Sequence, residues 1–140
     1  MNDQYLEHWI RLISTRFYDL VYEHEWLKLV FGHVDKELIN NQQIAFMLQA
    51  FGGPKLYTGR NPGDAHPHIY ITEEMWEVRE SLLAEAHQQV GAPPEFFEKW
   101  KKIDLAFKKQ IVMSSPDQCE KRWFTDELII VSDPRKKSAA

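Results

Sequence analysis

Between Phe51 and Thr72 the chain carries Gly52, Gly53, Gly59 and Gly63 together with Pro54, Pro62 and Pro67. Proline removes a backbone donor and clashes with the preceding turn, and glycine costs chain entropy, so this stretch cannot be one long regular helix. The segments on either side are strongly periodic, so the chain must be a helical frame interrupted by one long loop. His66 and His68 sit in the second half of that loop.

Before the loop, Leu6, Ile10, Ile13, Phe17, Leu20 and Val21 recur at three- and four-residue intervals, the spacing of an amphipathic helix. The pattern runs from Tyr5 to about Phe31 and changes phase near Glu23-His24-Glu25, which fits two helices or one bent helix, and Gly32 is read as its C-terminal cap. Asp35 can cap a helix over about Lys36 to Ala50, in which Ile39, Gln43 and Phe46 or Met47 share a face. Gln43 is the polar member of that stripe. Buried without a partner it would cost about 1–3 kcal/mol, so it reaches either solvent or something polar inside.

After the loop, Thr72 with Glu73 and Glu74 forms a helix start, and the pattern continues to about Val90, where Gly91 and Pro93-Pro94 stop it. A last helix opens at Pro94 and keeps its spacing through Phe96, Trp100, Ile103 and Phe107 to Val112. Ser114-Ser115-Pro116-Asp117 then breaks the helix. The expected organisation is a helical domain over residues 1–113 and a partly disordered extension over 114–140, whose Glu120–Val131 stretch either docks on the domain or pairs two chains.

The loop's Gly-Gly-Pro, its Tyr57-Thr58-Gly59-Arg60, its Ala65-His66 and its Ile71-Thr72 resemble the ligand loop of truncated haemoglobins. Phe17-Tyr18-Asp19-Leu20-Val21 is similar to the second helix of that family, and Leu29-Val30-Phe31 to the run that ends on the cofactor face. The resemblance implies an all-α, truncated globin-like two-over-two helical sandwich with an extra C-terminal segment. It also implies haem b, with His66 as the proximal iron ligand and Phe31, Met47, Trp76 and Val78 as pocket walls. Tyr18, Ile39 and Gln43 would face a ligand on the distal side, the Tyr18–Gln43 pairing resembling several group I members. Ile39 stands where longer globins place a distal histidine, so ligation of the iron by two histidines is not expected there. Arg79 falls where the family has an apolar residue, and it is expected to reach a haem propionate or solvent. His8, His24, His33 and His87 are expected at the surface, and His68 is the rival of His66.

Oxygen, nitric oxide or carbon monoxide are the ligands this resemblance implies, stored, sensed or, for nitric oxide, oxidised; turnover, or a peroxidase-like activity, would need a separate reductase. The alternative is a haem-free globin-like module that binds a partner protein or an apolar ligand. A net charge of −4 gives no footprint for nucleic acid. One cysteine, Cys119, allows no internal disulfide, no apolar run is long enough for a bilayer, and the N-terminus lacks a signal-peptide pattern, so a cytoplasmic location is expected. No phosphate loop, His-Glu-x-x-His helix or cysteine cluster is present.

Overall fold

The computed structural model describes residues 2–55, 57, 59 and 65–136. Among them five α-helices follow in order: α1 (Asp3–Glu23), α2 (Leu27–Phe31), α3 (Lys36–Ala50), α4 (Glu73–Val90) and α5 (Pro94–Ile111), with a short 3-10 turn at Pro116–Gln118. Strand pairing among these residues amounts to two isolated parallel bridges, Ile69 with Ile129 and Ile71 with Val112. Arg60 to Asp64 of the loop, Pro62 included, and residues 137–140 of the basic end lie outside the described residues.

The helix ends follow local chemistry. The Asn2 side chain accepts from the Tyr5 amide at 2.8 Å, and Thr72 from Met75 at 3.1 Å, each satisfying a donor that the first turn leaves open. Gly91 closes α4 in the left-handed region at φ 70°, where a side chain is disfavoured. Gly32 ends α2 differently from the cap expected of it. Its φ is −64°, and glycine is required because a Cβ there would sit 2.3 Å from the Lys28 carbonyl oxygen.

α1 and α2 are separated at His24–Trp26, where the phase change placed the break. His24 is built into this corner: its Nδ1 accepts from the amides of Trp26 at 3.1 Å and Leu27 at 3.3 Å, which start α2. α1 packs on α2, α3 and α4. Its Ile10, Ile13, Phe17 and Val21 are buried, as are Met75 and Leu83 of α4 and Phe96 and Trp100 of α5. Each such side chain contributes about 1.5–3 kcal/mol by leaving water. Phe96 joins α5 to the rest, with its ring 5.7 Å from Tyr5 and stacked 5.6 Å from Phe51.

His87 lies in this core and not at the surface. It stands four residues after Leu83 on the inward face of α4, where its Nδ1 meets the Leu83 carbonyl at 3.0 Å and its ring lies edge-on to Trp100 at 5.6 Å. Burial lowers its pKa, so the neutral ring is the form that fits.

The extension docks on its own chain. The Glu120 amide donates to the Pro67 carbonyl, that of Ile129 to His68, and that of Tyr70 to Ile129. Further on, Trp26 Nε1 donates to the Val131 carbonyl at 3.0 Å and Lys136 pairs with Glu74 at 2.6 Å. This return path brings residues 65–71 against the helical frame and defines one side of the cavity described next.

Candidate functional site

A cavity of about 390 Å³ opens between α1, α3, α4, α5 and residues 65–71. Its size lies in the range of small-molecule and cofactor sites, and Phe17, Phe31, Phe46, Met47, Trp76 and Phe107 give it mainly apolar walls. Tyr18 enters from α1; Ile39 and Gln43, one helical turn apart, enter from α3. Gln43 thus borders the cavity while half-buried. His66 and His68 join the lining from the 65–71 segment. Of the residues singled out in the sequence, Val78 alone is not at the wall: it is half-buried against the core.

The lining brings together what a haem pocket needs: apolar walls, an imidazole and hydrogen-bond donors. Among the described residues no group of three or more His, Cys, Asp or Glu could hold a metal ion by itself.

A sequence profile of bacterial-like globins matches residues 6–112. The chain belongs to this family. Its all-helical architecture is that of a truncated globin. Group 2 truncated hemoglobin 3-1 of Lotus japonicus is 42% identical over 68 residues, covering 47% of this chain and 39% of that protein. Two-on-two hemoglobin-3 of Arabidopsis thaliana is 40% identical over 59 residues, covering 41% of this chain and 32% of that protein. Group 1 truncated hemoglobin GlbN of Synechocystis is 31% identical over 91 residues, covering 61% of this chain and 73% of that protein. The globin therefore spans about two fifths of the Lotus protein's length and a third of the Arabidopsis one. Globins are haem proteins that bind diatomic gases such as oxygen.

Electrostatics sharpen the roles available to each wall of this globin. Tyr18 is 8% exposed, and burial pushes its hydroxyl far above the ordinary phenol pKa, with Arg79 opposing and Asp104 reinforcing. The phenol is therefore a donor at any physiological pH.

The Arg79 side chain is 21% exposed. It pairs with Asp104 and with Glu80, each at 2.8 Å, and its guanidinium lies over the rings of Phe17 at 5.1 Å and Trp76 at 5.3 Å. Burial works against its charge, but Asp104 and Glu80 more than offset this and keep its pKa above the usual value. A guanidinium in an apolar position is tolerated because its partners are built in beside it. Glu80 bears the cost: burial, with Asp104 adding to it and Arg79 opposing, raises its pKa to about 7.

On the 65–71 segment His68 is 5% exposed and its Nδ1 has no hydrogen-bond partner among the described residues. Burial first, and then Arg122 and His33, lower its pKa, while Asp126 pulls the other way.

Several lining residues escaped the sequence reading. Asp104 had a visible signal, since it stands four residues after Trp100 and three before Phe107 on the buried stripe of α5. His33, expected at the surface, is exposed yet borders the cavity. Tyr57, inside the loop motif, also lines it, edge-on to Phe46 at 5.3 Å. Arg122 reaches the cavity from the extension, and nothing in its own neighbourhood of sequence marks it.

Proposed function

We propose that this globin holds haem b through His66 and binds oxygen and other diatomic ligands beneath Tyr18 and Gln43. One observation carries the reading: His66 lines the same apolar cavity as Tyr18, Ile39 and Gln43, which belong to different elements and are separated from it by more than twenty residues. Bound haem would supply the iron at which a diatomic ligand coordinates. The chain's residues do the rest. His66 offers a ring nitrogen as the proximal ligand. Tyr18, kept protonated by burial, donates its O–H toward a polar ligand, and the Gln43 amide is a second donor. Ile39 brings bulk without a donor or a ligating atom. Phe31, Met47 and Trp76 would wall a bound haem and exclude water from it.

Oxidation of nitric oxide, peroxidase-like turnover and ligand sensing are all compatible with such a pocket, and turnover would draw electrons from a separate reductase. No helix among the described residues is long and apolar enough to cross a membrane. A second reading, a haem-free module that binds a partner, draws on the exposed Trp123, Phe124, Leu128 and Ile130 of the extension.

Hemin titration of the apoprotein separates these readings. The proposal expects one equivalent of hemin to give a saturable near-ultraviolet band, changed in position and stability by His66→Ala and little changed by His68→Ala. A reversed pattern would assign the ligand to His68, and a protein that leaves the hemin spectrum unaltered would exclude haem binding.

A further inference from the structure

We infer that the segment from Cys119 to Val131 is a strap that positions His66, with Ile129 and Arg122 as its positioning residues. The inference rests on His66 being the proximal ligand. It concerns residues beyond the part matched by the globin profile, which ends at residue 112.

Among the described residues, the segment from His66 to Ile71 runs in turn and bridge geometry. Ala65 is the last residue with helical geometry, Pro67 has no amide to donate, and Ile69 and Ile71 each form one isolated bridge. Its backbone groups are satisfied instead from the far end of the chain. Glu120 donates to the Pro67 carbonyl at 2.7 Å, Ile129 donates to His68 at 2.8 Å, and Tyr70 donates back to Ile129 at 2.9 Å. Nearer the base, Met113 donates to Ile71 at 2.8 Å. The carbonyl of His66 itself accepts from Ile69 at 3.0 Å, so the turn and the strap form one hydrogen-bonded unit.

Arg122 completes it. Asp126 grips the guanidinium through Nε and Nη2, both at 3.0 Å, and also accepts from the Arg122 amide at 3.0 Å. Trp123 lies under it at 4.2 Å. Held this way, Arg122 points Nη1 at the carbonyl of Ala65, the residue before His66, at 3.5 Å, and it faces the cavity. The peptide on one side of His66 is thus touched by Arg122 and the chain beyond it is tied by Glu120 and Ile129. A histidine on such a segment has its ring direction set by the strap, and ring direction governs the bond it makes to a metal.

The test uses the full-length chain with Ile129→Pro, which deletes the donor to His68, and Arg122→Ala as a milder second variant. Hydrogen exchange at the Tyr70 amide in the apoprotein reads the strap without haem: Ile129→Pro should speed it at least about five-fold, the factor expected from one lost hydrogen bond. Resonance Raman of the reduced, hemin-loaded protein reads the iron–histidine stretch, which both variants should shift or broaden while their helical circular dichroism stays unchanged. A wild-type band that neither variant moves overturns the strap's positioning role and leaves His66 as the ligand. The absence of that band in wild type overturns the haem reading and this inference together. Unchanged Tyr70 exchange in Ile129→Pro overturns the strap itself.

Discussion

Tyr18, Ile39 and Gln43 reach the cavity from helices, whereas His66 and His68 reach it from a segment held by backbone hydrogen bonds to residues more than fifty positions later. On the helical wall, side-chain direction follows from position: 3.6 residues per turn puts Ile39 and Gln43 on one face, and α1 packed on α3 lets Tyr18 line the same cavity. On the strapped wall no local rule sets direction. The difference is that one part of the lining is set by helix geometry and the other by hydrogen bonds from the chain's own extension.

If the helical wall is the stiffer, breaking its internal ion pair should produce the largest effect. Asp104→Ala leaves Arg79 with Glu80 as its remaining carboxylate partner, and should cost about 2–3 kcal/mol in urea unfolding of the apoprotein. Arg122→Ala on the strap removes a pair made between residues only four apart in sequence, and should cost clearly less. Equal losses would erase the distinction between the walls.

Next in size, Tyr18→Phe should raise the oxygen dissociation rate of the hemin-loaded, reduced protein about ten-fold or more, as expected for the loss of one strong hydrogen bond, measured by stopped-flow displacement with carbon monoxide. An unchanged rate would remove Tyr18 from the ligand side. Gln43→Leu should act in the same direction but only about three-fold, since Gln43 is half-buried and its amide can also meet solvent.

The smallest effect is a pH response of opposite sign on the two walls. Glu80, raised to about 7 by burial, contributes stability that is fully present below its unfolded value near 4.5 and is lost as pH rises through about 7. Asp126, held well below the usual carboxylate range by its hydrogen bonds from Arg122, contributes stability that is present above about pH 4 and is lost as pH falls. Glu80→Gln should flatten apoprotein stability between pH 4.5 and 7, and Asp126→Asn should blunt the acid limb. A Glu80→Gln profile that keeps the wild-type slope in that window would contradict the assignment.

Much of this architecture was legible in the residues because helices announce themselves by period and caps. Asn2 aside, the caps at Asp35, Thr72 and Gly91 and the break at His24 were readable, and so was the face shared by Ile39, Gln43 and Met47. Gly32 was read correctly as an end but for the wrong reason, since a close carbonyl and not a left-handed turn demands glycine there. The inward place of His87 and the carboxylate partners of Arg79 are not legible in the residues, because both depend on packing. Arg122 was invisible: contact between residues 65 and 122 is a tertiary fact that no short-range pattern encodes. His66 is singled out by its loop motif and not by spacing or polarity, and it lines the cavity.

The measurement that bears most directly on the account is imidazole rescue of His66→Gly. After hemin loading and reduction, the variant should lose the wild-type absorption spectrum and recover it when free imidazole fills the space left by the side chain. A His66→Gly protein whose spectrum matches wild type without imidazole would contradict the account, because the iron would then be held by another residue.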